Sequence, residues 1–188
     1  MRNAQAADAI RAEPPPLPSR GPYRVIVADP PWAFDVRNTD TSHRIVPPYP
    51  TMSVAEICSF PVGPLAASDC VLWLWVTNSH MREAFTVLDA WGFRQKTMLT
   101  WAKPQFGTGD YLRGQTEHCL MPIKGKPVIT LSNQSTLITA PKRGHSRKPD
   151  EFYALVEGLC PAPRYLELWS REERNGWNVY GNEVCKAA

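Results

Sequence analysis

Apolar and polar positions follow two periods along this chain, one typical of buried strands and one typical of amphipathic helices. Short apolar runs at 23–28 and 71–76 predict buried strands. Apolar residues three and four positions apart predict a helix that ends at Gly92 and another whose first residue is Pro149. This alternation favours an α/β fold with a mainly parallel sheet and helices on both faces.

The remaining elements are predicted from shorter signals. Ser53 and Glu56 have the spacing of a capping box, which predicts a short helix of about 53–59. Trp73 and Trp75 alternate on the second strand, which predicts that both lie in the core. Further strands are predicted at 95–102, 117–123, 136–140, 164–169 and 178–184.

The length of 188 residues suits one domain with its own core and is too short for two. Residues 1–22 contain the run Pro14-Pro15-Pro16-Leu17-Pro18, which predicts a Pro-rich N-terminal extension. We expect this extension to lie along the domain, with a partner ligand as the alternative. Residues 23–188 predict a single domain.

Charge, hydropathy and cysteine spacing exclude several classes of protein. Lys and Arg total 21 and Asp and Glu total 18, and this net charge of +3 excludes a polycation and a highly charged disordered chain. The longest strongly apolar run is 70–76, far short of the roughly 20 residues of a membrane span, and the N-terminal residues do not predict a secretory signal. The five cysteines are widely spaced without C-x-x-C, which predicts free thiols in a reducing cytoplasm.

The residues Asp29-Pro30-Pro31-Trp32 directly follow the first predicted strand, at the end where α/β sheets bind ligands. The exocyclic amine of adenine is a weak nucleophile because its lone pair is conjugated with the ring. Asp29 and the carbonyl of Pro30 can accept hydrogen bonds from the amine, which localises its lone pair, and the locked proline φ angles fix that carbonyl. Trp32 offers a flat face for a base taken out of its stack. The alternative is an ordinary turn at a strand end.

Other candidate binding residues flank this segment in the sequence. Lys142, Arg143 and Arg147 form a basic loop that we expect to contact nucleic-acid phosphates, with a solvated loop as the alternative. Tyr49 either stacks on the target base or packs under its own loop.

Two cofactor signals are absent or incomplete. His118 and His145 have no carboxylate or cysteine at ligand spacing, so no metal site is predicted. Gly107 and Gly109 are followed by a third glycine only at 114, which does not fit the dinucleotide-binding pattern G-x-G-x-x-G. A nucleotide-dependent oxidoreductase is therefore disfavoured.

The tetrad Asp29-Pro30-Pro31-Trp32 resembles the hallmark of the MT-A70-like family of adenine-amine methyltransferases, which has eukaryotic, bacterial and phage members. The resemblance extends over residues 23–184. Other segments similar to the family follow in the same order, at 48–53, 72–77, 107–109, 117–120, 145–151, 167–171, 177 and 181–183.

The resemblance implies a Rossmann-like methyltransferase fold with S-adenosylmethionine as the methyl donor. It implies that Asp29 and Pro30 hold both the target amine and the methionine end of the cofactor, and that Lys148 contacts the methionine carboxylate. The residues matched to the cofactor's ribose and adenine are Trp169, Arg171, Asn182 and Glu183. The sequence departs from the family in a more charged 172–175 segment and in Glu183, where glutamine is frequent.

These observations predict an S-adenosylmethionine-dependent methyltransferase that acts on the exocyclic amine of adenine in nucleic acid. We expect DNA as the substrate, because the chain is short, and RNA is the alternative. A catalytically silent nucleic-acid-binding relative is a second alternative, which the intact tetrad disfavours. The resemblance also suggests a cytoplasmic, prokaryotic or phage-encoded protein, in which a second subunit, identical or different, adds recognition surface.

Overall fold

A computed structural model of the protein describes most of the predicted domain and little of the N-terminal extension. The described residues are 5–6, 21–33, 50–107, 111–131, 133–144 and 147–181. Among them, no helix has both the length and the apolar character needed to cross a membrane.

The described strands form one seven-stranded sheet. They are β1 (Tyr23–Ala28), β2 (Ala66–Val76), β3 (Arg94–Ala102), β4 (Thr116–Lys124), β5 (Leu137–Thr139), β6 (Tyr165–Leu168) and β7 (Trp177–Tyr180). Their order across the sheet is β5-β3-β4-β2-β1-β6-β7. β4 pairs antiparallel with β2 and β3, and the other pairs are parallel. The predicted α/β class with a mainly parallel, Rossmann-like sheet is confirmed.

The described helices are α1 (Val54–Ser59), α2 (Val62–Leu65), α3 (Met81–Trp91) and α4 (Asp150–Leu159), with a 3-10 turn at Asn78–His80. The predicted capping box is present, because the Ser53 hydroxyl accepts from the Glu56 amide and the Glu56 carboxylate accepts from the Ser53 amide. Gly92 ends α3 with a φ of 76°, a left-handed conformation that glycine adopts without strain.

The two faces of the sheet carry separate cores. Leu72 and Leu74 of β2 belong to the core under α1 and α3. Trp73 and Trp75 point to the opposite face, where both pack edge-on against Phe152 of α4. The prediction that both tryptophans lie in the core is confirmed, and helices cover both faces.

Several predicted boundaries are wrong. β2 begins at Ala66 rather than at 71, because residues 66–70, although partly polar, pair with β1 and β4. Pro149 has an extended ψ of 148° and is the N-cap of α4, so it is not the first helical residue. The last strand ends at Tyr180, and residues 182–184 of the prediction lie outside the described residues.

Candidate active site

Four charged side chains meet at the edge of the sheet where the parallel strands end. Asp29 directly follows β1, and Lys103 directly follows β3. Glu117 lies near the start of β4, which reaches the same edge because that strand runs in the opposite direction. Lys148 lies just before α4, so the order of the elements explains why residues distant in sequence come together here.

These side chains form a chain of alternating charges. Lys148 Nζ lies 2.9 Å from Asp29 Oδ2 and 3.1 Å from Glu117 Oε2. Glu117 also accepts from the ammonium of Lys103. The Lys148 side chain is 8% exposed, and its ammonium lies 4.8 Å from the centre of the Trp75 ring. A buried lysine is stabilised here by two carboxylates and an aromatic face.

The protonation of this cluster follows from burial and from the neighbouring charges. Burial raises the pKa of Asp29, and the attraction of Lys148 offsets only part of that increase. Burial tends to raise the pKa of Glu117 as well, but Lys148 and Lys103 outweigh it and lower the pKa to about 2. Burial tends to lower the pKa of Lys148, but Asp29 and Glu117 raise it above its usual value. At neutral pH the ammonium of Lys148 therefore stays charged.

Glu117→Gln is expected to destabilise the protein by about 3–5 kcal/mol at pH 7, because it removes one carboxylate from two buried lysines. The pKa of Glu117 is about 2 in the folded protein and near its ordinary value in the unfolded chain. The stabilisation is therefore complete above the ordinary pKa and is lost as the pH falls toward 2. Urea unfolding from pH 7 to pH 3 should show that the difference between variant and wild type shrinks with acid.

The control for this prediction is Glu173→Gln, which changes an exposed carboxylate outside the cluster. We expect its free energy of unfolding to stay close to that of wild type across the same pH range. A destabilisation by Glu117→Gln that does not change with pH would contradict the assigned charge state.

Hydrogen bonds hold the Asp29-Pro30-Pro31-Trp32 segment to the neighbouring strands. The Asp29 amide donates to the carbonyl of Leu168 in β6 at 3.2 Å. The Pro30 carbonyl accepts from the Trp32 amide at 2.8 Å, and the Pro31 carbonyl accepts from the Met52 amide at 2.8 Å. A carbonyl oxygen has two lone pairs, so the carbonyl of Pro30 keeps one for a further donor.

Trp32 is 4% exposed and packs within the protein. Its indole Nε1 donates to the carbonyl of Trp75 at 3.0 Å, and its ring stacks on His80 with 5.4 Å between ring centres. The open aromatic face expected from the sequence is therefore covered in this structure. Stacking of a base on Trp32 stays a prediction and requires that the ring be uncovered.

A shallow cleft that opens to solvent lies beside Asp29. Its lining residues are Asp29, Arg147, Lys148, Tyr153, Glu167, Trp169, Arg171 and Glu172. Four residues that the sequence assigned to cofactor binding, namely Asp29, Lys148, Trp169 and Arg171, thus line one cleft.

The walls of this cleft are held in defined positions. Trp169 has a φ of 60°, a strained conformation for a residue other than glycine, directly after β6. Its ring packs on Phe60 with 4.7 Å between ring centres. Glu167 accepts from the Tyr153 hydroxyl at 2.7 Å and from the Ser170 hydroxyl at 3.0 Å. Burial raises the pKa of Glu167, and these hydrogen bonds oppose the increase.

The predicted phosphate-binding arginines form ion pairs within the protein. Arg143 Nη1 lies 2.8 Å from Asp150 Oδ1 and 3.2 Å from Glu172 Oε1. Arg147 Nη1 lies 3.4 Å from Glu172 Oε2. Lys142 lies apart from this cluster, with its ammonium next to Gly107. The sequence analysis considered phosphate binding and a solvated loop, and it did not predict these acidic partners. Phosphate binding by Lys142, Arg143 and Arg147 stays a prediction.

Three predicted site residues, Tyr49, Asn182 and Glu183, lie outside the described residues. Their assigned roles stay predictions. Within the part of the chain that the structure describes, no group of three or more His, Cys, Asp or Glu side chains could hold a metal ion.

Sequence reasoning missed the roles of Lys103, Glu117, Glu172 and His80. Lys103 and Glu117 had a usable signal, because each is a charged residue at the end of an apolar strand. Glu117 could be placed only once the direction of β4 was known. Glu172 and His80 had no comparable signal, since both lie in short polar connections.

The chain is similar in sequence to a known protein family and to several of its members. The MT-A70 family model matches residues 23–183. An N(6)-adenosine-methyltransferase MT-A70-like protein of Arabidopsis thaliana is 33% identical over 174 residues, which are 87% of this chain and 24% of the plant protein. The human N(6)-adenosine-methyltransferase catalytic subunit METTL3 is 30% identical over 175 residues, which are 87% of this chain and 28% of METTL3.

A relative of similar size comes from Mycoplasma sp. The type II methyltransferase M.MunI is 31% identical over 196 aligned residues, which are 90% of this chain and 81% of M.MunI. The chain thus spans about a quarter of the length of the plant and human relatives and most of the length of M.MunI. The match of the family model over nearly the whole described domain shows that the chain belongs to the MT-A70 family.

Proposed function

We propose that this protein is an S-adenosylmethionine-dependent methyltransferase that methylates the exocyclic amine of adenine in nucleic acid, with DNA as the preferred substrate. The observation that carries the proposal is the placement of Asp29. Its carboxylate lies at the end of β1, beside the cleft, and 2.9 Å from a buried lysine. Membership of the MT-A70 family supports the same reaction.

The chemistry of the cleft fits S-adenosylmethionine. The methionine end of this molecule carries an ammonium and a carboxylate, and the cleft provides the carboxylate of Asp29 beside the ammonium of Lys148. Trp169 would pack against the adenine ring, and Arg171 would contact the ribose. When bound, the cofactor supplies a methyl group on a positively charged sulfur.

The protein's own residues would orient the target amine. Asp29 accepts one hydrogen bond from the amine, and the free lone pair of the Pro30 carbonyl accepts a second hydrogen bond from it. Pro31 fixes the direction of that carbonyl through its restricted φ angle. These contacts localise the amine lone pair and aim it at the methyl group, so positioning and electrostatics supply much of the rate. The base must be flipped out or single-stranded to reach Asp29.

The preference for DNA is our extrapolation from the similarity to the type II methyltransferase M.MunI, which is 31% identical over 196 aligned residues. The plant and human adenosine methyltransferases are 33% and 30% identical over 174 and 175 residues. RNA is the alternative substrate, because those relatives are as similar in sequence. We further propose a cytoplasmic, prokaryotic or phage-encoded protein that gains recognition surface from a second subunit, identical or different.

Methyl transfer from labelled S-adenosylmethionine to matched DNA and RNA oligonucleotides, followed by nucleoside analysis, tests the proposal. We expect N6-methyladenine in DNA as the main product. A product in RNA alone would favour the alternative substrate. Binding of the cofactor, measured as a rise in melting temperature, without product on either polymer would favour a silent nucleic-acid-binding relative.

The basic loop is expected to supply phosphate contacts once nucleic acid displaces its internal carboxylate. Arg147→Ala should weaken DNA binding and reduce the slope of log affinity against log salt by about one. Glu172→Gln should do the opposite, because it removes the carboxylate that pairs with Arg147 and one of the two carboxylates that pair with Arg143. Fluorescence anisotropy between 50 and 200 mM salt measures both slopes.

The matched control is Arg94→Ala. Arg94 is exposed at the start of β3, at the opposite edge of the sheet from Asp29. It should leave the salt dependence unchanged. Equal effects of Arg94→Ala and Arg147→Ala would contradict a phosphate site on the basic loop.

A further inference from the structure

His80 contacts the last two described residues of the Asp29–Ala33 segment. Its ring nitrogen Nε2 lies 2.7 Å from the carbonyl oxygen of Ala33. Its ring stacks on the indole of Trp32, with 5.4 Å between ring centres and 26° between the planes. One side chain therefore holds the segment by a hydrogen bond and by an aromatic contact.

The hydrogen-bond partners of His80 indicate which of its two ring nitrogens carries the hydrogen in the neutral ring. The Ala33 carbonyl can only accept a hydrogen bond, so Nε2 must carry a proton. In the neutral ring Nδ1 is then an acceptor, and the Thr77 hydroxyl donates to it at 2.9 Å. The Ser79 hydroxyl lies 3.1 Å from the same nitrogen. The ring is thus oriented from both sides.

His80 lies in a turn next to the centre of the sheet, which holds its ring in a fixed position beside the Asp29–Ala33 segment. It belongs to the 3-10 turn that directly follows β2, the strand paired with both β1 and β4. The indole of Trp32 is bonded to β2 as well, through the Trp75 carbonyl. Backbone bonds at Asp29 and Pro31 fix the start and middle of the segment, and His80 fixes its end.

We propose that His80 is a positioning residue for the catalytic segment. It does not touch the substrate; it acts through Trp32 and Ala33, whose placement sets the direction of the Pro30 carbonyl, because Trp32 donates to that oxygen. The reaction served by this positioning is the proposed adenine methylation, and the inference about catalysis rests on that proposed function. The packing of the segment can be measured without catalysis.

Three variants separate the contacts. His80→Phe keeps an aromatic ring against Trp32 and loses the hydrogen bonds of the two ring nitrogens. His80→Gln loses the ring and keeps a donor that can reach the Ala33 carbonyl. Asn78→Ala changes an exposed residue of the same turn and is the control.

Two measurements are made on each variant: hydrogen exchange of the Trp32 indole N–H by NMR, and kcat and KM for methyl transfer. His80→Phe should speed indole exchange at least about tenfold and lower kcat by about 10- to 100-fold, because small misplacements of reacting groups are costly. KM for S-adenosylmethionine should change less than about twofold. His80→Gln should recover most of kcat, and Asn78→Ala should match wild type.

Two measurements can overturn the proposal: the rate of indole exchange in His80→Phe, and the recovery of kcat in His80→Gln. Indole exchange in His80→Phe within about twofold of wild type means that His80 does not hold the segment. Equal losses of kcat in the Phe and Gln variants, with equal falls in melting temperature, indicate general packing instead. If wild-type protein transfers no methyl group, the proposed function fails, while the exchange rate still decides whether His80 fixes the segment.

Discussion

Asp29→Asn is expected to lower kcat for methyl transfer by about 10²- to 10⁴-fold. The amide keeps the shape of the carboxylate and loses its charge. Its NH₂ group cannot accept a hydrogen bond from the target amine. Binding of S-adenosylmethionine should also weaken, because the same carboxylate faces the cofactor's ammonium in the proposed site. Single-turnover kinetics with saturating cofactor measure the chemical effect separately from binding.

The folding stability of Asp29→Asn should not fall in parallel. Burial raises the pKa of Asp29 in the folded protein, so the folded state binds this proton more tightly than the unfolded state does. The ionised carboxylate therefore costs stability at neutral pH, and the cost disappears as the pH falls through the folded pKa. A neutral amide removes that cost, while Glu117 still pairs with Lys148.

The control is Asp89→Asn, on an exposed position of α3, which should leave both kcat and melting temperature near wild type. Activity of Asp29→Asn within about tenfold of wild type would contradict its assignment, since a removed acceptor should cost more. A large fall in melting temperature would show that Asp29 supports the fold rather than the reaction.

The features that could be predicted from the sequence are those that depend on residues close together in the chain. Asp29 follows an apolar strand that ends at two prolines, so its place at a strand end could be predicted from neighbouring residues. The helices around Ser53 and Gly92 had their own capping residues. Lys148 and Trp169 were assigned through a resemblance, and the structure places both on one cleft.

The part that could not be predicted depends on strand direction and on contacts between distant loops. A prediction of a mainly parallel sheet gives no reason to expect Glu117 at the same edge as Asp29. Glu117 lies there because β4 runs antiparallel to β2 and β3. Glu172 pairs with arginines that lie more than 20 residues earlier in the chain. His80 contacts Ala33 across 47 residues. Tertiary packing decides these contacts, and local patterns do not record it.

Lys148→Met is expected to change the plot of kcat against pH. The acid limb of this plot, where kcat falls as the pH is lowered, should move to higher pH. Burial already raises the pKa of Asp29, and the attraction of Lys148 opposes that rise. Without the ammonium, the pKa of Asp29 should rise further, because the nearest opposite charge is lost while burial remains. Asp29 is active when ionised, so activity lost on acidification should be lost at higher pH in the variant.

Two further effects of Lys148→Met separate the roles of the lysine. KM for S-adenosylmethionine should rise, because the proposed partner of the methionine carboxylate is gone. The free energy of unfolding should fall by about 3–5 kcal/mol at pH 7, because Asp29 and Glu117 lose their shared cation. The dependence of the initial rate on cofactor concentration measures KM, and urea unfolding measures the stability independently.

Lys103→Met is the matched control for this prediction, because Lys103 pairs with Glu117 and has no ion pair with Asp29 among the described contacts. It removes a positive charge from the same cluster, while Glu117 still pairs with Lys148. The acid limb of Lys103→Met should stay within about a few tenths of a pH unit of that of wild type. In this variant Asp29 still has the ammonium of Lys148 as its partner, which lies 2.9 Å from Asp29 Oδ2 in the wild-type structure. If both variants shift the limb equally, the limb reports the charge of the whole cluster, and the direct pairing of Lys148 with a catalytic Asp29 is wrong. If neither shifts it, Asp29 is not the group whose ionisation controls the rate.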